Sequence, residues 1–467
     1  MLINMMKNRL SIVYCALASF CFVSSQVVYA GSELSTEPIP YLSDESLPPR
    51  TKPLLEIGPK FLSTGNIPKG FVLPTGAVWT PSLWVYGNLR SGLQTYDDGS
   101  EQEVTTNEWA NRLDLFANLQ LSGTERILIG VTPLHNRETG VFSGTIDVDG
   151  SDSESIEELN FDIDTLFFEG DLAELFPNWD YFDSSKNDIG FTIGRQNIEF
   201  MDGFLVNDNI DGIGFSKNNI RFAKNPNIIN WRSSIFFGLD GVNRDDNLDD
   251  SDSTLYAWFN QIDTTSSTYN VDLAYVTSDT AGDLVNLGLD AVRRFGKTNV
   301  TVRAAFSQAT GDVTEQSDDG VLLFSELSWV PAYTHDNVYL NGFVAIDNFT
   351  SVARGPLAGG PLGRTGLLFA AQGLGSAPSA LSNNATEAAG LALGYQKFSK
   401  DRKTQITFEA GARFDSLGVS EDEYGFGVRF QRALGHRSFW QIDGFATNSS
   451  ITSGTEYSAR LEFQVKF

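Results

Sequence analysis

From Leu83 to the last residue, apolar and polar positions alternate with period two, the pattern of strands with two unlike faces. The final segment, "TEYSARLEFQVKF", shows it plainly. Tyr457, Ala459, Leu461, Phe463, Val465 and Phe467 share one parity, and Glu456, Ser458, Arg460, Glu462, Gln464 and Lys466 the other. "WANRLDLFANLQL" sets Trp109, Leu113, Leu115, Ala117, Leu119 and Leu121 against Arg112, Asp114, Phe116, Asn118 and Gln120. The same grammar recurs in "STLYAWFNQI", "TYNVDLAYV", "NVTVRAAFS", "NVYLNGFVAI", "TQITFEAGARF" and "FWQIDGFAT". Segments of about ten residues with one apolar face fit membrane-spanning strands.

Soluble sandwiches also alternate, so the connections decide. Short turns ("SGT", "DTTSS", "FGKT", "PAYTHD", "SKDRK", "GHRS") take turns with long and often acidic links, among them "HNRETGVFSGTIDVDGSDSESIEELN", "GVNRDDNLDDSDS", "TGDVTEQSDDG" and the stretch from Asn348 to Thr386. That succession is the one expected of short periplasmic turns and long extracellular loops. The pattern predicts an all-β fold, a closed antiparallel transmembrane β-barrel of about 18 strands. Sixteen is the alternative, since Gly170 to Asn230 is glycine-rich and imperfectly periodic.

In lipid the outward parity should be apolar, with aromatics near both interfaces. Trp109, Trp231, Phe237, Trp329, Tyr395, Trp440 and Phe467 have that parity. The other parity is too polar for a dry interior and predicts an aqueous lumen. Its candidate lining residues are Arg90, Arg112, Asp114, Arg232, Arg294, Arg303, Glu326, Glu409, Arg413, Arg429 and Arg460. Arginine rings would favour anionic solutes. Arginine–carboxylate pairs across strands would instead stabilise the wall, and both readings stay open. The long stretch from Asn348 to Thr386 is weakly charged and rich in Gly, Ala and Pro. It is expected either to fold inward as a constriction, bringing Arg354 and Arg364 to the lumen, or to cap the surface.

Ahead of the alternation, residues 1–30 read as a signal peptide: Lys7 and Arg9, the apolar "LSIVYCALASFCFV", and cleavage after Ala30. Residues 31–80 read as an irregular, proline-rich extension, either a loose leader or a segment that caps a pore, with the barrel at 81–467. Both cysteines, Cys15 and Cys21, fall within the signal, so the mature chain has no thiol chemistry. Without Lys7 and Arg9, 33 − 2 = 31 basic residues face 59 acidic ones, a net of −28, which excludes nucleic acid as a partner. No cofactor or metal site is expected, and "NDNIDG" and "DVDGSD" miss calcium-loop spacing. Of the three histidines only His135, with Asp147 or Asp149 nearby, could seed a catalytic group; His335 and His436 fall in short turns.

One stretch goes beyond barrel grammar. "FTIGRQNIEFMDGFLVNDNIDGIGF", residues 191 to 215, resembles the "GRQ…DGxLV…DG" segment of alginate-export-type outer-membrane proteins, with Gly194, Arg195, Gln196, Asp202, Gly203, Asp211 and Gly212 as the matching positions. The resemblance implies about eighteen strands, a C-terminal aromatic, and Arg195 and Asp211 at the pore wall. Arg195 has outward parity, so that placement requires a bulge. Alginate exporters carry a strongly basic pore, whereas this inward face is mixed and the loops are acidic.

These features predict a Gram-negative outer-membrane channel, not an enzyme, for passive passage of hydrophilic solutes, anionic ones or exopolysaccharide among the candidates. The rivals are a structural or adhesive barrel and a hydrolase centred on His135. Expected partners are outer-membrane lipid and lipopolysaccharide, and the barrel-assembly machinery, engaged through the C-terminal strand that ends in Phe467.

Overall fold

The computed structural model describes residues 51–59, 69–99, 105–134, 144–147, 160–161, 163–179, 186–221, 227–244, 249–250, 252–355, 358–415, 422–450 and 454–467. Residues 1–30, expected to be a signal peptide, and His135 and Asp149 lie outside the described residues.

The chain closes into an antiparallel barrel of eighteen strands. In order they are β1 (Ser82–Asp97), β2 (Thr105–Gln120), β3 (Arg126–Val131, resumed at Gly144–Asp147), β4 (Ile163–Asp171), β5 (Ile189–Phe200) and β6 (Val206–Ile220). Next come β7 (Ile228–Asp240), β8 (Thr254–Thr264), β9 (Ser267–Thr277), β10 (Leu284–Phe295), β11 (Thr298–Ala309) and β12 (Gly320–Trp329). The last six are β13 (Asn337–Asp347), β14 (Ala388–Phe398), β15 (Thr404–Asp415), β16 (Glu423–Ala433), β17 (Ser438–Ser449) and β18 (Thr455–Lys466). β3 counts once because both of its pieces pair along β2, Arg126 opposite Gln120 and Asp147 opposite Glu108. Closure comes from β18 on β1, with Tyr457 opposite Asp97 and Lys466 opposite Asn88. The strand that ends the chain therefore has no free edge.

β1 runs past the end of β18, and part of the proline-rich extension takes over its ladder. Leu55–Ile57 pairs with Leu83–Val85, and Phe467 and Gly87 exchange backbone hydrogen bonds of 3.0 and 2.8 Å. The Thr51 hydroxyl donates to His436 O (3.2 Å) and Arg437 Nη2 to Lys52 O (3.3 Å), which ties the extension to the β16–β17 turn. Short strands at Phe71–Val72 and Val78–Trp79 pair with each other. This segment is thus less irregular than its composition suggests, because exposed strand edge at the end of β1 offers backbone partners.

Outward aromatics are exposed as lipid contact requires: Trp109, Phe237, Tyr395 and Trp440 are each more than a third exposed. The inward side is not wet throughout, and here the sequence expectation needs correction. Leu255, Ala257, Phe259, Ala274, Val276, Leu284, Ala305, Leu322, Phe324, Phe343 and Ala345 are buried on lumen-facing positions. They are covered by two segments that fold into the barrel.

The first is the hairpin tip of β5 and β6. β5 follows β4 only as far as Arg195, opposite Leu166, and β6 follows β7 only from Asp211. Residues 196–200 and 206–210 pair with each other, and Val206 and Asn207 also pair in parallel with Ala353 and Arg354. The departure starts at Gly194, whose φ is +120° and where a Cβ would lie 2.2 Å from Leu166 O. Only glycine fits both conditions. At the tip, Met201 and Leu205 reach the middle of β10, where a Cβ on Gly288 would be 2.6 Å from the Met201 sulfur.

The second is the long stretch after β13. It is pinned first to the hairpin, with Val352 N donating to Leu205 O (3.1 Å) and Ser351 Oγ to Phe204 O (2.6 Å). A 3-10 turn, Pro361–Arg364, follows, and the chain then crosses to the inner faces of β1, β2, β15 and β18.

Candidate functional site: the constricted lumen

The crossing segment is held by side chains that strand parity aims inward. On β15, buried Glu409 accepts the amides of Leu367 (2.7 Å) and Leu368 (2.8 Å) and the Tyr339 hydroxyl. Arg413 donates to Asn384 O (3.2 Å) and Thr386 O (3.3 Å). On the far wall, Arg90 Nη1 donates to Gly373 O (3.0 Å) and Arg460 Nη1 to Gln372 O (3.4 Å). Glu108 accepts the Ser376 amide at 2.7 Å. The segment spans the lumen from the hairpin to β1 and β2.

Beside it runs a row of arginines. Arg90 meets Glu462 through two bonds, 2.6 and 3.0 Å. Asp443 accepts from Arg429 Nε (2.6 Å) and Arg460 Nη2 (2.6 Å). Arg112 and Asp114 pair at 2.9 Å within β2. Arg90, Arg429 and Arg460 thus share two carboxylates, Glu462 and Asp443, and Glu108 lies on the same wall with the inward parity of β2. Arg90, Arg112 and Arg429 keep part of their surface in the lumen, whereas Arg460 is buried.

Across the barrel lies a second charged group. Arg303 contacts Asp202 at the hairpin tip, Glu326 (2.7 Å) and Asp290 (3.8 Å), and lies between Phe204 and Phe324. Arg364 pairs with Glu199 and donates to Asp202 O (3.2 Å). Arg354 donates to Gly203 O (2.6 Å) and Gly359 O (2.9 Å) and is buried, so it fastens the crossing segment to the hairpin. A polar cavity of about 220 Å³ beneath the tip is lined by Glu199, Asp202, Arg232, Asn260, Asp272 and Asp290, among others.

All eleven candidate lining residues lie on lumen-facing positions, but they do different work. Arg90, Arg429 and Arg460 form one network with Asp443 and Glu462, and Arg112 and Asp114 lie next to it. Arg303 and Glu326 form the opposite group. Glu409 and Arg413 hold the crossing segment. Arg232, bonded to Asn218 (2.7 Å), and Arg294, bonded to Gly296 O (3.1 Å), sit apart near the short-turn end. In the hairpin motif, Arg195 and Asp211 are cross-strand partners joined at 3.2 Å. The register runs through Gly194 without a bulge, so both side chains keep the parity of outward Ile193 and Ile213 and join the root of the hairpin to itself. Gln196 accepts from Thr192 at 2.6 Å. Asp202 and Gly203 shape the tip with φ of +50° and +82°, and Gly212 packs under Phe236.

Sequence reasoning missed the inward hairpin. Its signal was there: Leu255 to Phe259 is apolar on both parities, as are Leu284, Leu287 and Leu289, and a strand with two apolar faces needs cover on both. Glu108 and Asp443 were also not singled out, since an isolated inward carboxylate looks like any other wall residue. No group of three or more metal-ligating side chains occurs among the described residues.

The comparisons with known proteins follow this architecture. No family model and no curated protein matches the sequence. Solved structures match the fold. The outer membrane protein OpdK of Pseudomonas aeruginosa aligns at TM-score 0.53 with 9% identity, over 82% of this chain and 98% of that one. OccK2 (OpdF) of the same organism, solved in complex with glucuronate, aligns at 0.53 with 11% identity over 82% and 98%. OccAB3 of Acinetobacter baumannii aligns at 0.51 with 11% identity over 82% and 99%. OpdK has also been solved with vanillate, aligning at 0.53 with 10% identity. At these identities the likeness is one of fold: the eighteen-stranded closed barrel of outer-membrane porins.

Proposed function

We propose that this protein is an outer-membrane channel that passes small hydrophilic solutes by diffusion, with preference for small carboxylates. The short-turn end would then face the periplasm and the long-loop end the exterior. The observation that carries this reading is the crossing segment lying against Arg90 and Arg460, which brings a solute past an arginine row. Glucuronate in one solved neighbour and vanillate in another are solutes of that class. Polymer export is disfavoured, because the hairpin and the crossing segment both occupy the lumen and would have to leave together. Assembly through β18 and its terminal Phe467, and lipopolysaccharide as neighbour, belong to the same reading.

Liposome swelling tests it. Vesicles holding the refolded protein should swell faster in isotonic sodium glucuronate than in the neutral sugar of similar size, and barely at all in an alginate oligomer. Equal rates for acid and neutral sugar would remove the anionic preference. Swelling at the protein-free rate would favour a structural or adhesive barrel.

A further inference from the structure

On the short-turn side of the crossing segment, the lumen-facing side of β1–β4 carries a surface that the arginine row does not use. Tyr86 and Phe116 are direct cross-strand partners with stacked rings, centroids 5.6 Å apart and planes at 26°. Phe116 lies over Gly130 of β3, where a Cβ would come within 2.8 Å of the ring, so glycine leaves this aromatic face uninterrupted. Phe167 of β4 continues the row, with the Arg126 guanidinium 5.7 Å from its centroid. Arg126 is oriented by Glu169, whose carboxylate accepts its Nε at 2.5 Å. Among the described residues its two Nη groups make no hydrogen bond, and its charge acts on the Tyr86 phenol.

Parity decides which way this surface points. Tyr86 shares its face with Arg90, and Phe116 with Arg112 and Asp114, along an unbroken register. Arg126, Phe167 and Glu169 follow in the same row, Arg126 opposite both Gln120 and Glu169. These aromatics are therefore not part of the lipid-facing belt. Tyr86, Arg126 and Glu169 are each more than a third exposed, and neither the hairpin nor the crossing segment covers them.

We propose that this platform is a binding site for ring-bearing carboxylates, with the ring stacked on Tyr86 and Phe116 and the carboxylate held by the two Nη groups of Arg126. An arginine fork takes a carboxylate through paired hydrogen bonds, and an aromatic face takes a flat or chair-shaped ring by offset contact. Glu169 keeps the fork aimed at the lumen and accepts ring hydroxyls. A solute leaving the constriction would rest here before release. The proposal deepens the channel reading and rests on it.

The test is the residence time of vanillate, glucuronate and ringless acetate in single-channel recordings, with calorimetric titration of the detergent-solubilised protein as a readout independent of conduction. Arg126→Gln and Phe116→Leu should each shorten the residence of vanillate and glucuronate by about fivefold and weaken calorimetric binding to match. Acetate, which has no ring to stack, should lose far less in either variant. A loss confined to vanillate would narrow the ligand to aromatic acids, and one confined to glucuronate to uronic acids. Unchanged residence and binding in both variants would overturn the site while leaving the channel standing. Equal losses for acetate would reduce Arg126 to a general attractor and overturn it as well. Absence of conductance in the parent protein would overturn the channel reading instead.

Discussion

At the residue scale, two buried carboxylates organise the lumen. Asp443 is fully enclosed between Arg429 and Arg460. Asp443→Asn leaves two guanidinium groups without their shared counter-charge, one of them buried, and should cost about 3–5 kcal/mol. The measurement is the urea midpoint of the barrel in lipid vesicles, followed by tryptophan emission. Glu409 acts on the crossing segment rather than on the wall, through the amides of Leu367 and Leu368. Glu409→Leu should cost roughly 1–3 kcal/mol for the stranded amides and free the segment, seen as larger and noisier single-channel currents. Neither role could be read from the sequence. Parity gave the inward direction of Glu409, Arg413 and Arg460, but partners in the crossing segment 27 to 88 positions away along the chain leave no local trace.

Elements show the same division between what is local and what is not. Strands announce themselves because lipid outside and polar groups inside force a period of two, and the alternating connections betray the closed topology. The inward hairpin is harder to see, since residues 196–210 keep strand periodicity after they leave the wall. Gly194 and the two-faced apolar stretches Leu255–Phe259 and Leu284–Leu289 are its local marks. Replacing 197–209 with a two-glycine turn should raise conductance severalfold and expose the apolar wall around Phe259 and Leu284 to a hydrophobic dye. Unchanged conductance would mean that the hairpin does not narrow the path. The short-turn end carries a pH-sensitive fastening. The Tyr395 hydroxyl (2.5 Å) and the Phe398 amide (3.0 Å) hold the Asp336 carboxyl below its usual range. A lowered folded-state value means that this contribution is present at neutral pH and lost as pH falls through that value, beneath the ordinary aspartate range. Asp336→Asn should flatten the acid limb of the stability–pH curve, measured by the same urea midpoints.

For the whole molecule, the barrel supplies a closed wall and the two inserted segments narrow its lumen. The wall near β1, β2 and β16–β18 carries the arginine row with its carboxylate partners, and the hairpin side groups five carboxylates (Glu199, Asp202, Asp272, Asp290 and Glu326) with Arg303, Arg364 and Arg232. In the proposed channel a small anionic solute in the gap between them would lie toward the arginine row as it crosses. The sequence resemblance of residues 191–215 marked the most distinctive part of this device. It pointed to the pore wall, whereas the segment forms a hairpin that leaves that wall, because a register motif cannot report where a strand stops pairing. Single-channel recording of the refolded protein in a planar bilayer under a potassium chloride gradient tests the central claim most directly. The account predicts discrete openings with a reversal potential displaced toward chloride, and vanillate or glucuronate reducing the current. No current above the protein-free membrane, or a reversal potential displaced toward potassium with no effect of either acid, would contradict it.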